Sequence, residues 1–220
     1  MSELLIKGLK SCIDDLQNDK GDEEKNYEDL MKILNILYKN RSLYEDNPYL
    51  SKSIPNMKLI CHIVKFLEEN KCKQVIEIGS GTGLWASLIQ ILCKRRENGI
   101  IFFPTEYKFF FKGTYRFKVE YTKLEDISAD NAIEKYKSCD CLFLCWSPHE
   151  RMVDEGQYSA GEMLQKFKGN YLISIGENAR RSGSGDVLFY DELEKNWIEI
   201  EEKKIITYIP AGFTVIYDCF

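Results

Sequence analysis

The sequence lacks the cysteine and histidine pairing that zinc sites use. Its eight cysteines (12, 61, 72, 93, 139, 141, 145 and 219) form no CxxC pair, and there are only two histidines. A tetrahedral zinc site is usually assembled from paired knuckles, so no metal site is expected. Cys139, Cys141 and Cys145 fall close together, but inside an apolar, strand-like run that suits buried free thiols. Long apolar runs are also missing: none approaches the roughly 18 residues of a membrane-spanning helix. Residues 1–15 mix acids and lysines in a helical pattern, without the apolar centre of a secretory leader. The expected location is the cytoplasm, with the nucleus left open. Excess positive charge is absent as well, since the net charge is −5. Residues 1–30 carry four lysines and nine acids, so the rest of the chain is neutral overall. That gives no strong signature for duplex nucleic acid, and it makes the acidic N-terminal segment a candidate docking surface for a protein partner. No internal repeat is visible.

What is present is an ordinary globular composition. With 220 residues, 44% of them hydrophobic and 30% charged, the chain can bury one sizeable core. Its organising stretch is Gln74 to Ser87, QVIEIGSGTGLWAS. Val75, Ile76 and Ile78 form an apolar run broken by one acid, Glu77. Gly79, Gly81 and Gly83 follow at alternate positions, and then Leu84, Trp85, Ala86, Leu88, Ile89, Ile91 and Leu92 at the spacing of a buried helix. The pattern reads strand, glycine turn, helix. A strand that ends in such a turn, with a helix start behind it, is how α/β sheets hold nucleotide-like ligands.

Upstream, residues 1–70 read as a helical N-terminal extension. Helices are predicted over 3–16, 27–38 and from a cap at Asn56 through Leu67, with Asn47-Pro48 and Ile54-Pro55 marking an irregular connection. The extension packs on the sheet edge or acts as a lid, and 71–220 forms the α/β domain. Downstream, the apolar patterning predicts strands over 100–103, 116–121, 141–145 and 171–175, and helices over 129–137, 158–168 and 187–197. The most uniformly apolar strand, 141–145, should be central. Two last strands, 198–208 and 214–217, are separated by Pro210 and Gly212, too closely for a crossover helix, so they should pair antiparallel. The fold class is α/β: a doubly wound Rossmann-like sheet ending in an antiparallel hairpin.

Two ligand classes compete for the glycine turn. The dinucleotide fingerprint GxGxxG is incomplete, because Leu84 stands at its third glycine. An acid in the first strand, Glu77, and another past the second, Glu106, instead suit a ligand with an ammonium group and ribose hydroxyls; one carboxylate accepts two hydroxyls at once. On these residues, EIGSGTG resembles the first motif of class I S-adenosylmethionine-dependent methyltransferases. The resemblance implies S-adenosylmethionine as cofactor and an unidentified methyl acceptor as partner. Carried over residue by residue, it implies that Gly79, Ser80, Gly81 and Gly83 line the methionine and ribose side and that Glu77 orients the turn. It further implies Glu106 as the ribose acid, with Glu125 or Asp126 near the adenine amino group. The second half, with WSPHE, IGEN and GSGD-x-x-F, also resembles a little-characterised group of eukaryotic and viral methyltransferase-like proteins. Ser147 and Ser184 depart from that group's common pattern.

Candidate chemistry lies beyond the strand ends. His149, directly after strand 141–145, is a general base or a loop histidine; its ordinary pKa suits the first role. Glu177 is a base or amine acceptor, or a local salt-bridge acid. Trp146, Ser147 and Pro148 are candidate acceptor-binding residues, with Trp146 stacking on a planar group or simply packing. Arg180-Arg181 is an anion clamp or a solvated pair. The expected activity is methyl transfer to a protein, RNA or small molecule. Two other readings stand beside it: an inactive binding or scaffold protein on the same fold, and an NAD-dependent oxidoreductase.

Overall fold

A computed structural model describes residues 2–39, 55–107, 119–147, 158–177, 184–204 and 212–219. It places Pro148, His149, Arg180 and Arg181 outside the described residues. Among those described, no helix is long and apolar enough to cross a membrane. The chain divides into two compact units that do not follow a boundary near residue 70: residues 81–100 and 119–123 group with the N-terminal helices, while 72–80, 101–107 and everything from 124 onward form the other unit.

The first unit contains α1 (Ser2–Gln17), α2 (Glu23–Lys39), α3 (Met57–Glu69) and α4 (Leu84–Arg95). Leu9, Ile13 and Leu16 of α1 and Leu30 and Leu34 of α2 recur every three or four residues and are buried, which is why the two helices pack together. Asn56 caps α3 as expected, its side chain accepting from the Lys58 amide at 2.8 Å. The basic end of α4 is tied to neighbours: Lys94 to Asp19 at 2.6 Å, Arg95 to Glu23 at 3.3 Å and Arg96 to Glu68 at 2.7 Å. These pairs are largely exposed, so each contributes little more than orientation. Tyr121 is fully buried here, and its amide donates to the Thr82 carbonyl at 2.8 Å.

The second unit is built on one seven-stranded sheet in the order β3-β2-β1-β4-β5-β7-β6. Its strands are β1 (Gln74–Ile78), β2 (Ile101–Glu106), β3 (Glu125–Asp126), β4 (Cys141–Cys145), β5 (Tyr171–Glu177), β6 (Trp197–Lys204) and β7 (Gly212–Cys219). The first five pair in parallel. β7 runs antiparallel to both β5 and β6, the expected terminal hairpin. β4 lies between β1 and β5 and is almost wholly buried, as its apolar run predicts. Side chains alternate across the sheet. Ile76, Ile78, Leu142, Leu144 and Leu172 join a core with α5 (Ala129–Tyr136), α6 (Ala160–Lys166) and α7 (Val187–Asn196). Val75, Glu77, Phe102 and Phe143 point to the opposite face and are also buried.

Three sequence expectations are corrected. The third strand is Glu125–Asp126; of the expected strand 116–121, residues 116–118 lie outside the described residues and 119–121 carry no strand, because Tyr121 spends its apolar ring and amide in the first unit. The second strand continues past Phe103 through Pro104 to Glu106. A proline is tolerated there because β3 pairs only with Thr105 and Glu106, leaving no far-side partner to ask for its missing N–H. Glu177 does not follow the fifth strand; it is its last residue, opposite Gly212.

At the opposite edge from the glycine turn, Asp140 ties three strands together. Its Oδ2 accepts from the Lys73 and Gln74 amides at 2.6 and 2.8 Å, and its carbonyl accepts from those of Asn170 and Tyr171, both at 3.0 Å.

Candidate functional site

Because β1, β2, β4 and β5 are parallel, their C-terminal ends share one edge of the sheet. That edge gathers Glu77, Gly79, Ser80, Glu106, Trp146, Ser147 and Glu177 within the second unit. Ligand crevices form at such an edge where connections leave in opposite directions, and here β1 has β2 on one side and β4 on the other.

The turn after β1 is fastened to β2 by a residue that the sequence reading missed. The Thr105 carbonyl accepts from the amides of Gly79 and Ser80 at 3.1 and 2.9 Å. Its hydroxyl donates to the Glu77 carbonyl at 2.8 Å. The only sequence signal for this role is a threonine directly before the candidate ribose acid. Gly79 has φ +76, where a side chain is strained, and a β-carbon added there would meet nothing within 4 Å. Among the described residues nothing fills the space in front of the turn. Gly81 and Gly83 also have positive φ, +60 and +70, and lie in the first unit, where Gly83 precedes α4 without a side-chain cap.

Glu77 is 1% exposed, and neither carboxyl oxygen makes a hydrogen bond; the buried Ser80 hydroxyl is likewise unpartnered. Its neighbours across the strands are Pro104 and Phe143, which offer no polar atom on their side chains. Burial therefore pushes the Glu77 carboxyl up to about 8; the nearby Ser80 hydroxyl draws it back in part, and the charge of Glu106 adds to the rise. Glu106 closes β2, half-buried, and stands in register with Asp126 of β3, so two acids end adjacent strands.

Glu125 is placed differently from a simple adenine contact. Its carboxylate accepts from Lys135 at 2.7 Å and from the Tyr136 hydroxyl, and these two bonds hold its pKa below the usual range. Tyr136 is itself stacked on Phe103 at 4.8 Å. Asp126, the other acid named for this position, is exposed.

On the other side of the edge, Trp146 adopts φ +61, a left-handed conformation uncommon for a bulky residue. Its amide donates to the Ile175 carbonyl at 2.7 Å, which ties the turn after β4 to β5. The Ser147 carbonyl accepts from the Gly185 amide at 3.1 Å. Ser184, Gly185 and Asp186 are buried and form the hub of this corner. Asp186 caps α7 through the Phe189 amide at 2.8 Å, and the same Oδ1 accepts from the Gly161 amide of α6 at 3.0 Å. Tyr190 donates its hydroxyl to the Ser184 carbonyl at 2.7 Å. Ser184-Gly185-Asp186 is thus a cap and anchor, and Phe189 packs where any side chain on Gly185 would have to go.

Of the residues read from sequence, Glu77, Gly79, Ser80, Glu106, Trp146 and Ser147 come to this edge, and the backbone of Glu177 ends there too. Among the described residues no group of three His, Cys, Asp or Glu side chains could hold a metal ion. The residues named at the edge offer carboxyl groups and no cation. The Gly79 and Ser80 amides already donate to Thr105. Such an edge fits a ligand with hydroxyls and positive charge better than a pyrophosphate.

No family model matches the chain, and no curated protein matches it. Solved structures do. A Klebsiella pneumoniae protein assigned as an O-methyltransferase is 11% identical with a TM-score of 0.50, over 84% of this chain and 89% of that one. The O-methyltransferase from Bacillus cereus, crystallised with SAH, is 8% identical with a TM-score of 0.48, over 85% and 90%. The 16S rRNA methylase ArmA is 13% identical with a TM-score of 0.47, over 85% and 98%. At these identities the shared property is the fold, a Rossmann-like methyltransferase sheet.

Proposed function

We propose that this chain is a class I methyltransferase that uses S-adenosylmethionine. The observation that carries the reading is the turn Glu77–Ser80, locked by Thr105, with open space in front of Gly79 and the acids Glu106 and Asp126 ending the next two strands. In this reading Gly79, Ser80, Gly81 and Gly83 give the cofactor a close backbone approach. Glu106 accepts the ribose hydroxyls, and Asp126 serves the adenine side in place of Glu125, whose carboxylate is engaged by Lys135 and Tyr136. The bound cofactor supplies a methyl group already activated on a sulfonium, so the protein has mainly to align a nucleophile and keep water out. In this reading Trp146, Ser147 and Pro148 serve the acceptor side, and His149 or Glu177 takes a proton from the acceptor.

The likeness to the Klebsiella pneumoniae structure supports the fold that this reading needs. The NAD reading is disfavoured by the same turn: its first two amides are spent on Thr105, and among the described residues acids end the next two strands. Equilibrium dialysis of the full chain with S-adenosylmethionine and its demethylated product tests the proposal. Both ligands should bind, and Gly79→Arg, which fills the open space, should abolish binding while the far-ultraviolet circular dichroism is unchanged. A wild-type chain that binds neither ligand sinks the reading. Transfer of a labelled methyl group into fractionated cell extract would then identify the acceptor class.

A further inference from the structure

We propose that Glu77 is protonated in the ligand-free protein and releases its proton when S-adenosylmethionine occupies the turn, so that cofactor binding and proton release are one coupled event. The inference rests on the methyl-donor reading above. It begins from geometry. Glu77 sits in the middle of the sheet, 1% exposed, with no hydrogen bond to either carboxyl oxygen. Such a carboxylate would be an uncompensated buried charge, which proteins avoid by keeping the proton.

Among the described residues, the groups that face Glu77 do not supply the missing positive charge. On β2 the titratable neighbour is Glu106, whose charge opposes ionisation of Glu77. On β4 it is the Cys145 thiol, itself raised by burial and by Glu77. The turn contributes the Ser80 hydroxyl, and the register neighbours Pro104 and Phe143 contribute none. In this proposal the cation that lets the carboxylate form comes from the ligand. S-adenosylmethionine carries a sulfonium and an ammonium against one carboxylate, a net charge of about +1, and an opposite charge within a few ångströms favours the ionised acid. The demethylated product has lost the sulfonium and is neutral overall. The proton leaves for solvent, so the balance is Glu77–COOH plus cation giving carboxylate, bound cation and one free proton.

Two consequences separate this coupling from simple binding. S-adenosylmethionine should bind more tightly as pH rises towards about 8, approaching tenfold per pH unit, because the slope equals the protons released. The neutral product should show a weaker slope, so the preference for methyl donor over product should grow with pH.

Isothermal titration calorimetry of the full chain at pH 7, in phosphate and in Tris, reads the number of protons directly from the difference in heat. The expected result is release approaching one proton with S-adenosylmethionine, less with the product, and none in Glu77→Gln. Binding with the same heat in both buffers would overturn the proposal while leaving the methyl-donor reading intact. Equal release in Glu77→Gln would overturn it too, by placing the proton on another group. If neither ligand gave heat or dialysed onto the protein, both ideas would fall together. The wild-type comparison stands alone should the variant fold poorly.

Discussion

Gly176 and Ser184 share one volume: a β-carbon built on the glycine would lie 2.3 Å from the serine Oγ and 2.5 Å from its Cβ. The glycine of IGEN is therefore required by proximity, with no help from an unusual φ. Gly176→Ala should lower the unfolding free energy by about 1–3 kcal/mol, the usual cost of overpacking. Ser184→Ala should not rescue it, since the clash with Cβ persists, whereas Ser184→Gly should. Urea unfolding of the single and double variants decides this.

Asp186 serves two helices with one oxygen. Removing it in Asp186→Ala leaves the buried amides of Gly161 and Phe189 without an acceptor. Two orphaned donors cost together about 2–4 kcal/mol. Asp186→Asn keeps an oxygen in place and should lose much less. Thermal denaturation of the two variants should show that order, and equal losses would contradict the shared-cap account.

The pH dependence of stability should carry the mark of Glu77. Its folded pKa is raised from 4.5 to about 8, so the folded state holds a proton that the unfolded chain gives up. That contribution is fully present below about 4.5 and is lost as pH rises towards about 8. Glu77→Gln removes it, and the stability of the variant relative to wild type should rise from pH 5 to pH 8, by at most about 1.4 kcal/mol per pH unit. Urea midpoints of both proteins at several pH values give the comparison. A constant difference would mean that Glu77 is ionised throughout.

Trp146 tests whether the left-handed turn after β4 is strained. At φ +61 an L-residue is disfavoured by roughly 1–2 kcal/mol, and glycine is not. Trp146→Gly should therefore be more stable than Trp146→Ala by about 1 kcal/mol, although it removes more atoms. At an ordinary helical or extended position the order would be reversed or level.

Much of the architecture could be read from residue patterns, because the signals were local. The run Val75–Ile78 and its glycines mark a strand and a turn within one short stretch, and the uniform apolarity of 141–145 marks a central strand. The brief gap at Pro210 and Gly212 demands an antiparallel pair. What escaped depends on partners distant in sequence. Thr105 acts through amides 25 and 26 residues away, at Ser80 and Gly79. Glu125 is taken by Lys135 and Tyr136 on α5, which only the folded geometry brings to it. Tyr121 had the look of a strand residue, yet its amide serves the Thr82 carbonyl. The GSGD segment was legible as a motif but not as a double cap, since Gly161 gives no hint that it needs an acceptor.

The grouping of α4 with the N-terminal helices bears on how the chain can be divided. α1 and α3 both pack on α4, and Arg96 and Asn98 beyond its end reach Glu68 at 2.7 and 2.9 Å. A chain begun at residue 71 would keep α4 but strip the apolar sides that those helices cover. A cut near residue 70 would separate α4 from the helices packed on it. Any shortened version that retains the glycine turn must carry α1 and α3 with it.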